Sequence, residues 1–196
     1  MAKSSQYRMP HRRRREQRTN YRARLRLVKS GKVRAVIRKS GSHMLIEFVT
    51  WEQNGDKTLL TVSSAQLGKF GWNAPMGNVP AAYLTGLLAG KLAKALNIEE
   101  AIADLGMQAS TKGSRLYAAV KGLVDAGLKV PHDPGMLPDA KRLGGEHIAA
   151  WSSKANKPAF AAYKVRPADL PKHFVEVKSK IIGGKEHAGK AGQVSK

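Results

Sequence analysis

The chain has 196 residues, no cysteine, 42% hydrophobic residues and a formal net charge of +21. That length fits one domain with tails, and the lack of cysteine excludes disulfides, thiolate nucleophiles and Cys-ligated metal sites. The charge is concentrated at one end: the first 34 residues hold 13 Lys/Arg against a single acid, Glu16, a self-repelling arrangement that a polyanion relieves while releasing its condensed counterions.

Residues 1 to about 30 carry no sustained helical or strand period and few large apolar groups, so the segment cannot bury enough surface to offset its ordering entropy. We expect a disordered basic arm that orders on a partner, a helix over Arg12 to Arg26 being one bound form. No apolar run follows the N-terminal charges, so no secretory leader is expected. The longest apolar stretch, Val79 to Ala89, is too short to span a bilayer. The arm is rich in Arg, which both forks onto phosphate and stacks on bases. Tyr7, His11, Asn20 and Tyr21 are interleaved with it, which favours RNA with its unpaired bases over DNA. No helix-turn-helix or zinc-finger pattern supports reading of a DNA groove.

From Val33 the pattern changes to period two, in Val33–Arg38, Met44–Thr50 and Leu59–Val62, separated by Ser40-Gly41-Ser42 and Asn54-Gly55-Asp56. Asn-Gly is a strong hairpin signal because both residues tolerate positive φ. The reading is a three-stranded antiparallel meander with Arg34 and Arg38 on one face and helices covering the other. Asn78 as N-cap and Pro80 in the first turn open a helix ending near Leu96, with Tyr83, Leu84, Leu87, Leu88 and Leu92 as its apolar stripe. A second helix starts near Ser114 and stops at Gly127. Between them, Ala101 to Leu105 fits a strand joining the sheet in parallel. The fold class is therefore α/β, a mixed sheet covered by helices. The expected division is 1–30 as arm, 31–130 as globular domain, and 131–196 as a Pro/Gly-rich extension with short helices near Glu146–Trp151 and Leu170–Ile181 and a flexible basic tail.

Gly86-Leu87-Leu88-Ala89-Gly90-Lys91 mimics a phosphate loop, but the spacing is one residue short and Leu92 stands where Ser/Thr is required. The small residues fit close packing of a neighbour instead. Thr111-Lys112-Gly113-Ser114-Arg115 is a basic loop at a helix N-terminus, read equally as an anion site through Lys112 and Arg115 or as a capping loop. His132, Asp133, Glu146 and His147 are the only His/acid groupings that suggest catalysis, and they lack motif context.

The run Tyr21-Arg22-Ala23-Arg24-Leu25-Arg26-Leu27-Val28-Lys29-Ser30-Gly31-Lys32 closely resembles the archaeal and eukaryotic form of the large-subunit ribosomal protein eighteen family. Val36-Ile37-Arg38-Lys39-Ser40, Leu67-Gly68-Lys69-Phe70-Gly71-Trp72, Asn78 to Leu88, Asp104-Leu105-Gly106, Gly113-Ser114-Arg115, Lys121-Gly122, Asp125 to Leu128, Val130-Pro131-His132 and Gly144 to Ile148 agree in order. The resemblance runs from about Tyr7 to Trp151 and weakens beyond. It implies a protein docked on 5S ribosomal RNA in the central protuberance, next to 23S RNA and other protuberance proteins, in the cytoplasm. It also implies RNA contact by Tyr7, Arg8, Arg12, Arg13, Arg14, Arg15, Arg18, Thr19, Asn20, Tyr21, Arg22, Arg24, Arg26, Lys29, Arg34 and Arg38, with Ser40 and His43 as loop contacts. The residues beyond Pro138 resemble the archaeal-type extension.

The expected function is thus a structural constituent of the large ribosomal subunit, with no enzymatic activity, cofactor, metal, membrane or small-molecule substrate. The alternatives are an RNA-processing enzyme using Asp104, Asp125, Asp133 and Glu146 as metal carboxylates, and a DNA-compacting basic protein.

Overall fold

In the computed structural model, which describes residues 5–154, 160 and 163–184, the period-two segment folds as the expected meander. Strands β1 (Arg34–Lys39), β2 (Met44–Glu52) and β3 (Gly55–Ser63) pair antiparallel, and β4 (Ile102–Asp104) adds in parallel to β1. The order β3-β2-β1-β4 puts β1 inside the sheet. Alternation separates two faces. Ala35, Ile37, Met44, Ile46, Phe48 and Val62 are buried on one, while Arg34, Val36 and Arg38 stand on the other, in register with Val49, Glu47 and Leu45.

The β2–β3 hairpin turns one residue earlier than Asn54-Gly55 suggested. Glu52 pairs with Gly55, leaving Gln53 and Asn54 as the two-residue turn, and only Gly55 takes positive φ, 136°. The ladder pulls Gly55 into β3, which therefore begins well before its apolar residues. A bulge at Leu59 restores the pleat, since Phe48 faces Leu60 but Val49 faces Thr58.

Helix α3 (Val79–Ala95) starts where predicted, the Asn78 Oδ1 accepting from the Ala81 amide at 2.8 Å. Thirteen of its 17 residues are buried, because it is covered by the sheet on one side and by helices on others. Helix α4 (Arg115–Asp125) packs against it with no room for Cβ atoms at the contact: Gly86 lies on the Ala119 backbone, Gly122 on the Tyr83 carbonyl and Gly90 on Ala126. The stretch that mimics a phosphate loop is a packing stripe. Gly127, φ 91°, ends α4 in the left-handed conformation.

The described residues after 130 hold more regular structure than the proline and glycine content implied. Helices α6 (Glu146–Ser152) and α7 (Leu170–Gly183) fall where expected, and α5 (Ala140–Gly144) is additional. Leu170, Phe174, Val177 and Ile181 lie on one face of α7 and are buried in the same hydrophobic cluster as α3. Lys91 fastens this contact, its Nζ donating to the Ile181 and Ile182 carbonyls, both at 2.8 Å, near the end of α7. The core is therefore continuous across residue 130. The basic tail from 185 onward lies outside the described residues.

Candidate nucleic-acid interface

Within the arm the basic helix anticipated over Arg12 to Arg26 divides into two, α1 (Arg12–Arg15) and α2 (Tyr21–Lys29). Gln17, at φ 53°, breaks the chain between them, and Asn20 restarts it by accepting from the Ala23 amide at 3.1 Å. Neither helix contains a buried residue, so the arm owes nothing to a core of its own. Glu16 pairs with Arg12 and Arg18, each at 3.3 Å. Arg13 Nε donates to Thr19 Oγ1 at 2.9 Å, and His11 meets Tyr21 edge-on at 5.5 Å. These contacts are exposed, where ion pairs contribute little. Arg8, Arg14 and Arg15 are exposed and have no acid partner among the described residues.

Helix α2 has two sides. Arg24, Leu27 and Val28 are half-buried, whereas Tyr21, Arg22, Leu25, Arg26 and Lys29 are exposed. At 3.6 residues per turn these five share one face. The opposite side is pinned to the sheet by Arg24 Nη2, 2.8 Å from Asp56 Oδ2.

That contact begins a charge ladder across the outer face of the sheet. Asp56 Oδ1 lies 2.7 Å from Arg34 Nη2, at ion-pair distance though poorly aligned for a hydrogen bond. Arg34 Nη1 lies 3.5 Å from Asp104 Oδ2, and Arg38 Nη2 donates to Asp104 Oδ1 at 3.2 Å. Arg38 Nη1 also donates to the Asp104 carbonyl at 2.6 Å. Partial burial alone would raise the Asp56 carboxyl, but Arg34 and Arg24 outweigh it and hold it below the usual carboxylate range. The Arg34 side chain is only 2% exposed. It is engaged by Asp56 and Asp104, an internal role that stands beside the RNA contact expected of it on sequence grounds. Arg38 is partly exposed along the same face.

The loop contacts form a second cluster. Ser40 Oγ donates to the His43 carbonyl at 3.1 Å and accepts from the His43 amide at 2.9 Å, closing the β1–β2 turn. Arg115 Nη1 donates to the carbonyls of Gly77 at 2.6 Å and Ser40 at 3.3 Å, so it ties this turn to the start of α3. Lys112 stays exposed. Of the two readings of this basic loop, the arginine serves the clamp and the lysine remains open to an anion. Gln108 was not anticipated: it accepts from the Lys39 amide at 3.0 Å and donates to the Lys39 carbonyl at 2.8 Å, extending the edge of β1. Asp56 and Asp104 were not foreseen as anchors of the arginines either. Alternation along β4 places Asp104 on the arginine face, a signal readable once the β1–β4 pairing is known.

The acids considered as metal ligands are dispersed. Asp104 belongs to the ladder, Asp125 accepts from the Tyr83 hydroxyl at 2.9 Å, and Asp133 caps Pro134–Met136 through the Gly135 amide at 2.9 Å. Among the described residues no three His, Asp or Glu side chains stand together as a metal site would require.

The architecture is thus an α/β scaffold whose cationic arm is clamped to the open face of a mixed sheet. A family model described as ribosomal large subunit proteins 60S L5 and 50S L18 matches residues 5–102 and 94–133. The large ribosomal subunit protein uL18 of Haloarcula marismortui is 46% identical over 184 residues, 94% of this chain and 98% of that protein. Those of Halorubrum lacusprofundi and Halobacterium salinarum are 45% and 46% identical, over 92% and 93% of this chain and 97% and 99% of their own lengths. The chain belongs to this family of large-subunit ribosomal proteins, structural constituents rather than enzymes. A match of 184 residues necessarily takes in much of the extension after Trp151, where the resemblance read from the sequence had faded.

Proposed function

We propose that this protein binds 5S ribosomal RNA and helps attach it to 23S RNA in the central protuberance of the large subunit, next to neighbouring protuberance proteins. The observation that carries this reading is the two-sided α2. Its inner side is tied to Asp56, and its outer side offers Arg22, Arg26 and Lys29 beside Tyr21. Phosphate contacts from these residues and from Arg8 and Arg12 to Arg15 supply affinity, and stacking by Tyr7 and Tyr21 adds selectivity for unpaired bases. Arg18, Thr19, Asn20, Arg38, Ser40, His43 and Lys112 extend the same surface. Membership of a family of structural ribosomal proteins argues against the RNA-processing alternative.

Deletion of residues 1–30 tests the proposal. The truncated chain is expected to keep its cooperative unfolding transition, because neither arm helix contains a buried residue, and to bind 5S RNA far more weakly in a filter-binding or mobility-shift titration. Undiminished binding would show that the grip lies elsewhere.

A further inference from the structure

Among the described residues, the arm, the sheet face and the loop cluster leave two exposed tryptophans unused, Trp51 and Trp151, of which Trp151 stands beside other rings. His147, Ile148 and Trp151 of α6, with Phe160 and Tyr163, line an open cleft of about 450 Å³. Its rings are tilted rather than piled: Trp151 and Phe160 lie 5.5 Å apart at 58°, Phe160 and Tyr163 5.3 Å apart at 71°. They therefore form the walls of a cup, and Trp151 is 56% exposed at its rim. Covering an indole this open removes apolar surface from water and so contributes to binding.

The surroundings favour one cover. From Asp139 to Asp169 the sequence holds six Lys/Arg and three acids. Arg166 is paired with Asp169 at 3.1 Å, which leaves Lys141, Arg142, Lys154 and Lys164 as described cations without an acid partner among the described residues. Arg142 is close enough to His147 to help, after burial, to depress its pKa, which leaves the imidazole neutral near pH 7 with one donor and one acceptor nitrogen. An apolar peptide would need only the cup. A nucleotide needs both a ring-shaped recess and nearby cations for its phosphates, the combination found where unpaired bases are held on aromatic side chains.

We propose that this cup binds an unpaired nucleobase of ribosomal RNA, stacked on Trp151, as a second RNA contact separate from the arm. The inference rests on the RNA-binding reading above and assigns part of that contact to the extension.

The test is photo-cross-linking of the full chain to 4-thiouridine-substituted 5S and 23S RNA, with the adducts mapped by mass spectrometry. Adducts are expected both in the arm and within 147–163. Trp151→Leu, which keeps apolar bulk but removes the aromatic plane, is expected to melt like the parent chain, to lose the second adduct and to weaken binding by about tenfold. Trp151→Phe is expected to retain the adduct. Adducts in the arm alone would overturn the cup and leave the proposed function standing, whereas adducts in neither region would overturn both. Adducts at 147–163 that survive Trp151→Leu would also overturn it. So would chemical cross-links from Lys154 or Lys164 to another protein in whole subunits with no RNA adduct at the cup.

Discussion

Between Asp56 and Asp104 the Arg34 guanidinium has two counter-ions and almost no contact with water, so its desolvation is offset within the fold. Arg22, on the outer side of α2, is exposed and has no acid partner among the described residues. The same side chain therefore serves stability at one position and, on the proposed function, the ligand at the other. Arg34→Ala strips both aspartates of their shared partner and is expected to lower unfolding stability by about 2–4 kcal/mol in denaturant titration. This falls below the ~3–5 kcal/mol of a fully enclosed pair because Arg24 and Arg38 still neutralise the acids. Arg22→Ala is expected to leave stability within ~0.5 kcal/mol. It is also expected to weaken RNA binding and to reduce the salt slope by about one. The opposite pattern, with Arg22 affecting stability and Arg34 affecting binding, would invert the assignment.

At the scale of elements, α7 is held by a histidine that must stay neutral. His173 Nε2 accepts from the Asn73 amide at 3.2 Å, and its ring stacks on Trp72 with centroids 5.2 Å apart. Burial, reinforced by Lys180 against the opposing Glu176, pushes its pKa below the usual 6.5. A folded-state pKa below the unfolded one means that the stabilisation is complete above about pH 6.5 and is lost as pH falls through the lower folded value. The thermal midpoint should therefore decline between pH 7 and pH 5, and decline less in His173→Gln. Equal slopes would remove His173 from the docking of α7. Nothing in the sequence announced this contact. Helices α3 and α4 were legible because their signals are local: Asn78 and Pro80 at one start, Ser114 at the other, Gly127 at a stop. The meander was legible from its alternation, although the ladder moved the turn to Gln53-Asn54. The joining of Asp56 to Arg34, and of Lys91 to the end of α7, depends on register and packing between distant segments, which a linear pattern does not encode. In the candidate interface, the exposed arginines of the arm could be read from charge density. The ion pairing of Arg34 could not, because its counter-ions come from two other strands.

At the scale of the whole molecule, Asp56 and Asp104 are turned to internal use while most arm cations face outward. If roughly six to ten phosphates are engaged, 5S RNA affinity should fall about 10³- to 10⁵-fold between 50 and 200 mM salt. A flat titration would contradict an interface built on phosphate neutralisation. The sheet order has a mechanical consequence as well. Only four residues separate the end of α2 at Lys29 from the start of β1 at Arg34, and β1 is bonded on both sides, to β2 and to β4. Tension on the arm during subunit assembly would thus load an interior strand whose two ladders resist together in shear. An edge strand under the same pull would peel away one bond at a time.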